Sequence, residues 1–244
     1  MKIQITADLH IEYLTSTKNL IDIGTDSEIL ILAGDIGCAY NIKQLMDFFE
    51  SIVHKYHHVI YVPGNTEFYI KRFNMPKSLY TLNERLKLIE KRFPNVHILN
   101  RKTIQIDKVV FTGCVLWSNP VDTLPQYVRI HEVDKETFSE NNKNDITYIK
   151  ASIELVKSLG LKHVIITHYC PLSFSDFPEF THPRHDLYFN NLTLTPTPGT
   201  TWIYGHIHVC DDREKDGTRY ISNSRGKKTK ISEDYRSGFS IEIN

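Results

Sequence analysis

Seven side chains in this sequence are of the types that hold divalent cations, and each follows a short apolar run. Asp8 and His10 close "KIQITADLH". Asp35 follows "EILILAG", Asn65 follows "HVIYVPG", His168 follows "KHVIIT", and His206 and His208 follow "TWIYG". Apolar runs of this length, bounded by Gly, Pro or Asp, read as buried strands. In an open α/β sheet the binding crevice lies outside the carboxyl ends of the strands, so all seven groups are placed to converge on one edge. Singly, each has a plainer reading. Asp35 in "GDIG" suits a turn or a helix cap. Asn65 after Gly suits a left-handed turn, His168 suits a satisfied core histidine, and the D-x-H of Asp8 and His10 recurs by chance. His206 and His208 stand two apart, which on a strand turns both the same way. Five strand ends in succession make coincidence the weaker explanation.

Carboxylates, imidazoles and one amide oxygen suit hard-to-borderline ions such as Mn, Fe, Zn or Mg. Seven donors exceed the needs of one tetrahedral zinc. They suit two ions held about 3.5–4 Å apart and bridged by one carboxylate. Cys170 and Cys210 each lie two residues beyond one of the histidines and read as buried or supporting groups.

The elements that must position these residues are legible from periodicity. The spacing predicts helices over 42–56, 78–93 and 145–160, the last closed by Gly160. Strands are expected in the five runs above and in "VHIL", "TIQID", "VVFTGCVLW", "TRYISNS" and "GFSIEIN". The order is β-α-β-α-β, a strand-rich centre, then α-β and more strands, which suggests a layered α/β domain with partly parallel sheets. No internal repeat or linker divides it, so residues 1–244 are expected to form a single domain. Two long stretches, 118–142 and 169–199, carry no periodicity and read as functional loops.

Composition weighs against several alternatives. Twenty-nine basic and twenty-nine acidic residues give a formal net charge of zero, so no global field favours nucleic acid or a membrane surface. The basic "GKKTK" near residue 228 reads as a solvated loop. No apolar stretch approaches the length of a membrane span, and Asp8 and His10 arrive before a signal-peptide core could be completed. Four scattered cysteines without C-x-x-C fit reduced thiols. The expected location is cytoplasmic.

The run "DLH", "GD", "GNTE", "TH", "GHIH" resembles the signature of the calcineurin-like metallophosphoesterase superfamily: D-x-H, G-D, G-N-H-[ED], H, G-H-x-H. "VLWSNP" and "SNSRG" are similar to a small single-domain branch of it. The resemblance implies a four-layer αββα sandwich of two mixed sheets flanked by helices. It implies a dinuclear centre in which Asp8, His10 and His208 bind one ion, Asn65, His168 and His206 bind the other, and Asp35 bridges. It implies hydrolysis of phosphate mono- or diesters by a metal-bridging hydroxide, positioned by Asp35 with Asn65 and His168. The sequence departs from the family at two places. Thr66 stands where the signature has the histidine that contacts the scissile phosphate. Cys38 stands where many relatives have the aspartate paired with it. Thr66, His182 and Arg184 are candidate substrate contacts, with His185 and His131 as further candidate proton donors. The double departure also admits a second function, a protein-binding module built on a catalytically weakened site.

Overall fold

The computed structural model describes residues 1–14, 23–24, 27–70, 78–227 and 229–243. Eleven strands are present among these residues: β1 (Lys2–Thr6), β2 (Ile29–Ala33), β3 (His58–Val62), β4 (Val96–Ile98), β5 (Lys102–Ile106), β6 (Val109–Cys114), β7 (Lys162–Thr167), β8 (Thr201–Ile203), β9 (Asp211–Lys215), β10 (Thr218–Ser222) and β11 (Ser240–Glu242). Three α-helices join them: α1 (Ile42–Ile52), α2 (Leu79–Arg92) and α3 (Lys135–Leu159).

They form two mixed sheets. One has the order β11-β1-β2-β3-β4, the other β5-β6-β7-β8-β10-β9. β1, β2, β3 and β4 run parallel, with β11 antiparallel at the edge. In the second sheet β6, β7, β8 and β10 run parallel, between antiparallel β5 and β9.

Burial explains why the central strands are apolar throughout. Every residue of "ILILA" in β2 is buried, as expected when both faces of a parallel sheet are covered. Ile29 and Ile31 face the other sheet, in a core shared with Ile3, Ile5, Ile60, Val164, Ile166 and Ile203. Leu30 and Leu32 alternate to the opposite face and pack with Phe48, Phe49, Leu82 and Leu86 of α1 and α2. On the second sheet Ile165 and Trp202 pack outward with Phe138, Ile149 and Ile153 of α3. The layers are therefore helix, sheet, sheet, helix, as the resemblance implied.

Several elements differ from expectation, α1 among them, which ends at Ile52, short of 56. Helix α3 begins ten residues earlier than its apolar periodicity indicates, inside the stretch read as a loop. Its first turns are polar, but Asp134 caps it by accepting from Thr137 N, and Phe138, Asn142 and Asp145 are buried beneath it. β8 stops at Ile203, so His206 and His208 lie beyond the strand. The charged strand β9, "DDREK", has no apolar alternation and occupies a sheet edge, where charge blocks further pairing.

Candidate metal centre

The carboxyl ends of β1, β2, β3, β7 and β8 open on one edge of the sandwich, and all seven residues meet there. Asp8, His10 and His208 bring their ligand atoms within 4.8 Å of one another, and Asp35, His168 and His206 do the same. Asp35 belongs to both neighbourhoods. Its Oδ2 is 3.7 Å from His10 Nε2 and its Oδ1 is 3.3 Å from His168 Nε2. His10 Nε2 and His208 Nε2 are 3.2 Å apart, and His208 Nε2 is 3.6 Å from Asp8 Oδ1. Asn65 Oδ1 is 2.9 Å from His168 Nε2.

The backbone that presents these groups is unusual. Asp8, His10, Asp35, His206 and His208 all have positive φ, between 50° and 70°. Each such residue costs of order 1–3 kcal/mol, and such strain clusters at functional sites. His206 and His208 converge through this left-handed loop geometry, not through the strand alternation expected from their spacing. Asn65 is the reverse case: the left-handed turn it was suited to is absent, and it is right-handed helical at φ −77°.

The glycine before Asn65 follows from sterics, since a Cβ on Gly64 would overlap Asp35 Oδ1. At Gly34, φ is +85° and a Cβ would overlap the His168 ring. The G-D and G-N pairs thus bring ligand-bearing loops closer than any larger residue allows.

Hydrogen bonds on the far side of each ring fix which nitrogen faces inward. His168 Nδ1 donates to Ala33 O at 3.0 Å, and His206 Nε2 donates to Leu187 O at 3.1 Å. A carbonyl only accepts, so in the neutral rings His168 Nε2 and His206 Nδ1 are lone-pair acceptors. They lie 3.1 Å apart, with Asn65 Oδ1 and Asp35 Oδ1 beside them. Four acceptors in contact repel one another unless a cation sits among them. The donor set therefore fits a divalent ion, and backbone-anchored imidazoles are the usual way to orient such ligands. His10 Nδ1 is held by Glu12 Oε1 at 2.9 Å, which leaves Nε2 facing His208.

Electrostatics agree. Burial raises the Asp35 carboxyl, but His168, His10, His206 and the Thr66 hydroxyl outweigh it and hold it well below the usual range. Burial pushes His10 down, yet the Glu12 hydrogen bond and the Asp35, Glu12 and Asp8 carboxylates bring it up to about 9. Burial keeps His206 neutral, reinforced by His168, and burial lowers His208.

Four supporting residues were not singled out from the sequence. Glu67, fully buried, accepts from the backbone N–H of Asp35, Ile36, Gly37 and Gly64 and from Tyr61 Oη, at 2.6 to 3.3 Å. Burial and the Asp35 charge push its carboxyl up to about 7. It ties the Asp35 loop to the Asn65 loop, and the acid in "GNTE" was its only sequence signal. Ser224 donates to Asp8 Oδ2 at 2.6 Å, from within "SNSRG". Glu12 and Tyr69 carried no signal.

The substrate candidates separate. Thr66 gives its N–H to Asp35 Oδ1 and its hydroxyl to Asp35 Oδ2, both at 2.7 Å. His182 and Cys38 line the cleft of about 1660 Å³ that opens over the centre. Arg184 binds Asp186 with two nitrogens and Thr123 O with a third. His185 stacks on Phe174 with ring centroids 4.4 Å apart, and His131 lies 3.5 Å from Glu132. Neither they nor Arg184 are among the cleft's described lining residues. The stretch 169–199 does form a cleft wall, through Asp176 to His182, Leu187 and Tyr188. Lys227 and Lys230 of "GKKTK" are exposed but stand on the rim. All four cysteines are free thiols, and no helix is long and apolar enough to cross a membrane among the described residues.

The chain is similar to several known proteins in sequence and fold. An uncharacterised protein of Acanthamoeba polyphaga mimivirus is 28% identical over 92% of this chain and 90% of its own length. The crystal structure of phosphopantetheinyl hydrolase from Mycobacterium tuberculosis superposes with a TM-score of 0.67 at 17% identity, covering 93% of this chain and 90% of that one. A 5'-nucleotidase, so designated provisionally, from Staphylococcus aureus superposes at 0.50 and 15% identity, over 92% of this chain and 48% of that one. These two likenesses are of fold. The model of the calcineurin-like phosphoesterase family matches residues 1–210, a span that contains every one of the seven converging residues, and the chain belongs to that family.

Proposed function

We propose that the protein hydrolyses phosphate mono- or diesters at a dinuclear centre, with residues 1–244 acting as one cytoplasmic catalytic domain. Asp8, His10 and His208 would hold one divalent ion, and Asn65, His168 and His206 the other. The observation that carries the reading is Asp35, whose two oxygens face different ligand groups. The bound cations would polarise the phosphoryl oxygens and supply an acidified water. The chain's own residues supply geometry. Asp35, held by Thr66 and by the Glu67-braced loop, fixes the separation of the two halves. Ala33 O and Leu187 O fix the rings of His168 and His206, so nothing reorganises as charge develops. The family match and the fold likeness to phosphopantetheinyl hydrolase support phosphoester chemistry.

The test is elemental analysis of Mn- or Zn-loaded protein beside hydrolysis of p-nitrophenyl phosphate and its bis-ester. Two ions and turnover of either ester are expected. One ion or none overturns the dinuclear centre. Two ions without turnover of any ester favours the binding-module reading, for which the occupied Thr66 hydroxyl is the supporting observation.

A further inference from the structure

Thr66 leaves a chemical vacancy in the cleft wall. A phosphoryl group bound over this centre needs hydrogen-bond donors on its equatorial oxygens, and the Thr66 hydroxyl has its one proton on Asp35 Oδ2. Arg184 has its donors on Asp186 and Thr123 O. Tyr69 is placed differently. It ends the short 3-10 turn that starts at Thr66 and lines the cleft. The Asn65 side chain bonds to its phenol. Because Asn65 Oδ1 is turned to His168 Nε2 at 2.9 Å, the group facing Tyr69 is the amide NH2. Tyr69 Oη is therefore the acceptor of that bond, and its own proton remains to be given elsewhere.

We infer that Tyr69 donates its phenolic hydrogen bond to an equatorial phosphoryl oxygen of the substrate, in the place left by the residue exchanged for Thr66. The inference rests on the phosphoesterase reading above. Three features favour it. The short 3-10 turn is anchored at both ends, by Phe68 N to Asn65 O at 3.0 Å and Tyr69 N to Thr66 O at 3.1 Å, so the ring is preorganised. The next residue is pinned as well, by Ile70 N to Arg129 O at 2.9 Å. A tyrosine phenol ordinarily keeps its proton to about pH 10, so it is a donor under the conditions of assay.

The chemistry differs from that of an imidazole. As a hydrogen-bond donor, a phenol stabilises charge on the phosphoryl oxygens without delivering a proton to the leaving group. Its loss should lower kcat by a similar factor for every ester and leave the dependence on leaving-group acidity unchanged.

The experiment compares metal-loaded wild type, Tyr69→Phe and Tyr69→His. The readouts are metal content, thermal midpoint, and kcat and KM on a series of aryl phosphates and their diesters. Removing one such donor typically costs about 10²–10³-fold in kcat. Tyr69→Phe is expected to keep both ions, lose kcat by that order with KM within a few-fold, and keep the wild-type leaving-group slope. Tyr69→His, which retains an N–H in the wall, is expected to recover at least tenfold of the loss. A Tyr69→Phe kcat within threefold of wild type overturns the inference. So does loss of an ion in Tyr69→Phe, which would make Tyr69 a support for Asn65 only, or a changed leaving-group slope. Inactivity of the wild type itself refutes the phosphoesterase reading, and this inference with it.

Discussion

Thr66 holds Asp35 by two bonds, one to each carboxylate oxygen, from its backbone N–H and its hydroxyl. The residue that stands where the signature has histidine thus holds the Asp35 carboxylate, the proposed bridge, and has no hydroxyl proton left for a substrate. Thr66→Val keeps the size and the N–H but removes the hydroxyl. Loss of such an outer contact typically costs 10–100-fold in metal affinity, and a loss of about tenfold is expected in competition titrations with a chelating dye.

The same geometry takes the Thr66 hydroxyl out of use as an acid for the leaving group. General-acid catalysis contributes about 10²–10⁴-fold, so aryl esters should turn over and alkyl esters should be poor substrates. A plot of log kcat/KM against leaving-group pKa should be steep in the wild type. Thr66→His should raise alkyl-ester activity selectively. A flat plot would point to another donor, with His182 in the cleft wall the first to replace.

Asp35→Asn should weaken both metal sites, because it removes the charge they share, whereas His206→Ala should empty mainly one. Binding should also depend on pH. His10 titrates near 9 in the metal-free protein, and a cation must displace that proton. Affinity at the His10 side should therefore rise about tenfold per pH unit up to about 9, and calorimetry in buffers of different ionisation heat should register one proton released. A pH-independent affinity would place the ion elsewhere.

Glu67 gathers five donors in a fully buried position. Glu67→Gln turns an NH2 toward some of them and leaves buried N–H groups unpaired. Each such group costs about 1–3 kcal/mol, so a loss of about 3 kcal/mol or more in denaturant unfolding is expected. Metal content should fall as well, since the Asp35 and Asn65 loops lose their common tether.

His163 offers a test of stability away from the centre. Burial lowers its imidazole to about 4, and it contacts Thr112 Oγ1 at 2.9 Å. The unfolded chain binds the proton more readily, near 6.5. Its contribution is therefore complete above 6.5 and is lost as pH falls from 6.5 through 4, up to about 3 kcal/mol. His163→Gln should flatten this acid limb, read as unfolding free energy at pH 7 and pH 5.

Where one physical signal dominated, the sequence was legible. β2, β3 and β7 are largely apolar because both faces are covered, and the ligand-type residues stand out as polar groups at the strand ends. The glycines of G-D and G-N marked real steric limits. What was hidden depends on partners distant in sequence. The first ten residues of α3 look like loop because they are mostly polar, and one of those polar groups, Asn142, is buried and bonded to Trp117 O and Asn190. β9 lacks alternation because it is an edge. Tyr69 and Glu12 became visible only when folding placed them against Asn65 and His10. The positive φ of five residues at the centre could not be read locally, since aspartate and histidine adopt it more readily than most side chains but still in a minority of cases.

The seven residues also divide by chain position. Asp8, His10, Asp35 and Asn65 lie within the first 65 residues and on the first sheet, while His168, His206 and His208 follow β7 and β8 of the second. During synthesis the early group leaves the ribosome long before the late one. At about 5–20 residues per second the delay is on the order of ten seconds. A nascent chain that has not yet emerged past β7 carries three oxygen donors and a single imidazole, half a centre exposed at an unpaired sheet edge. Assembly of the seven-residue cluster is thus tied to translation of β7 and the residues after it, and a polypeptide stalled before that point presents Asp8 and Asp35 without the imidazoles of His168, His206 and His208.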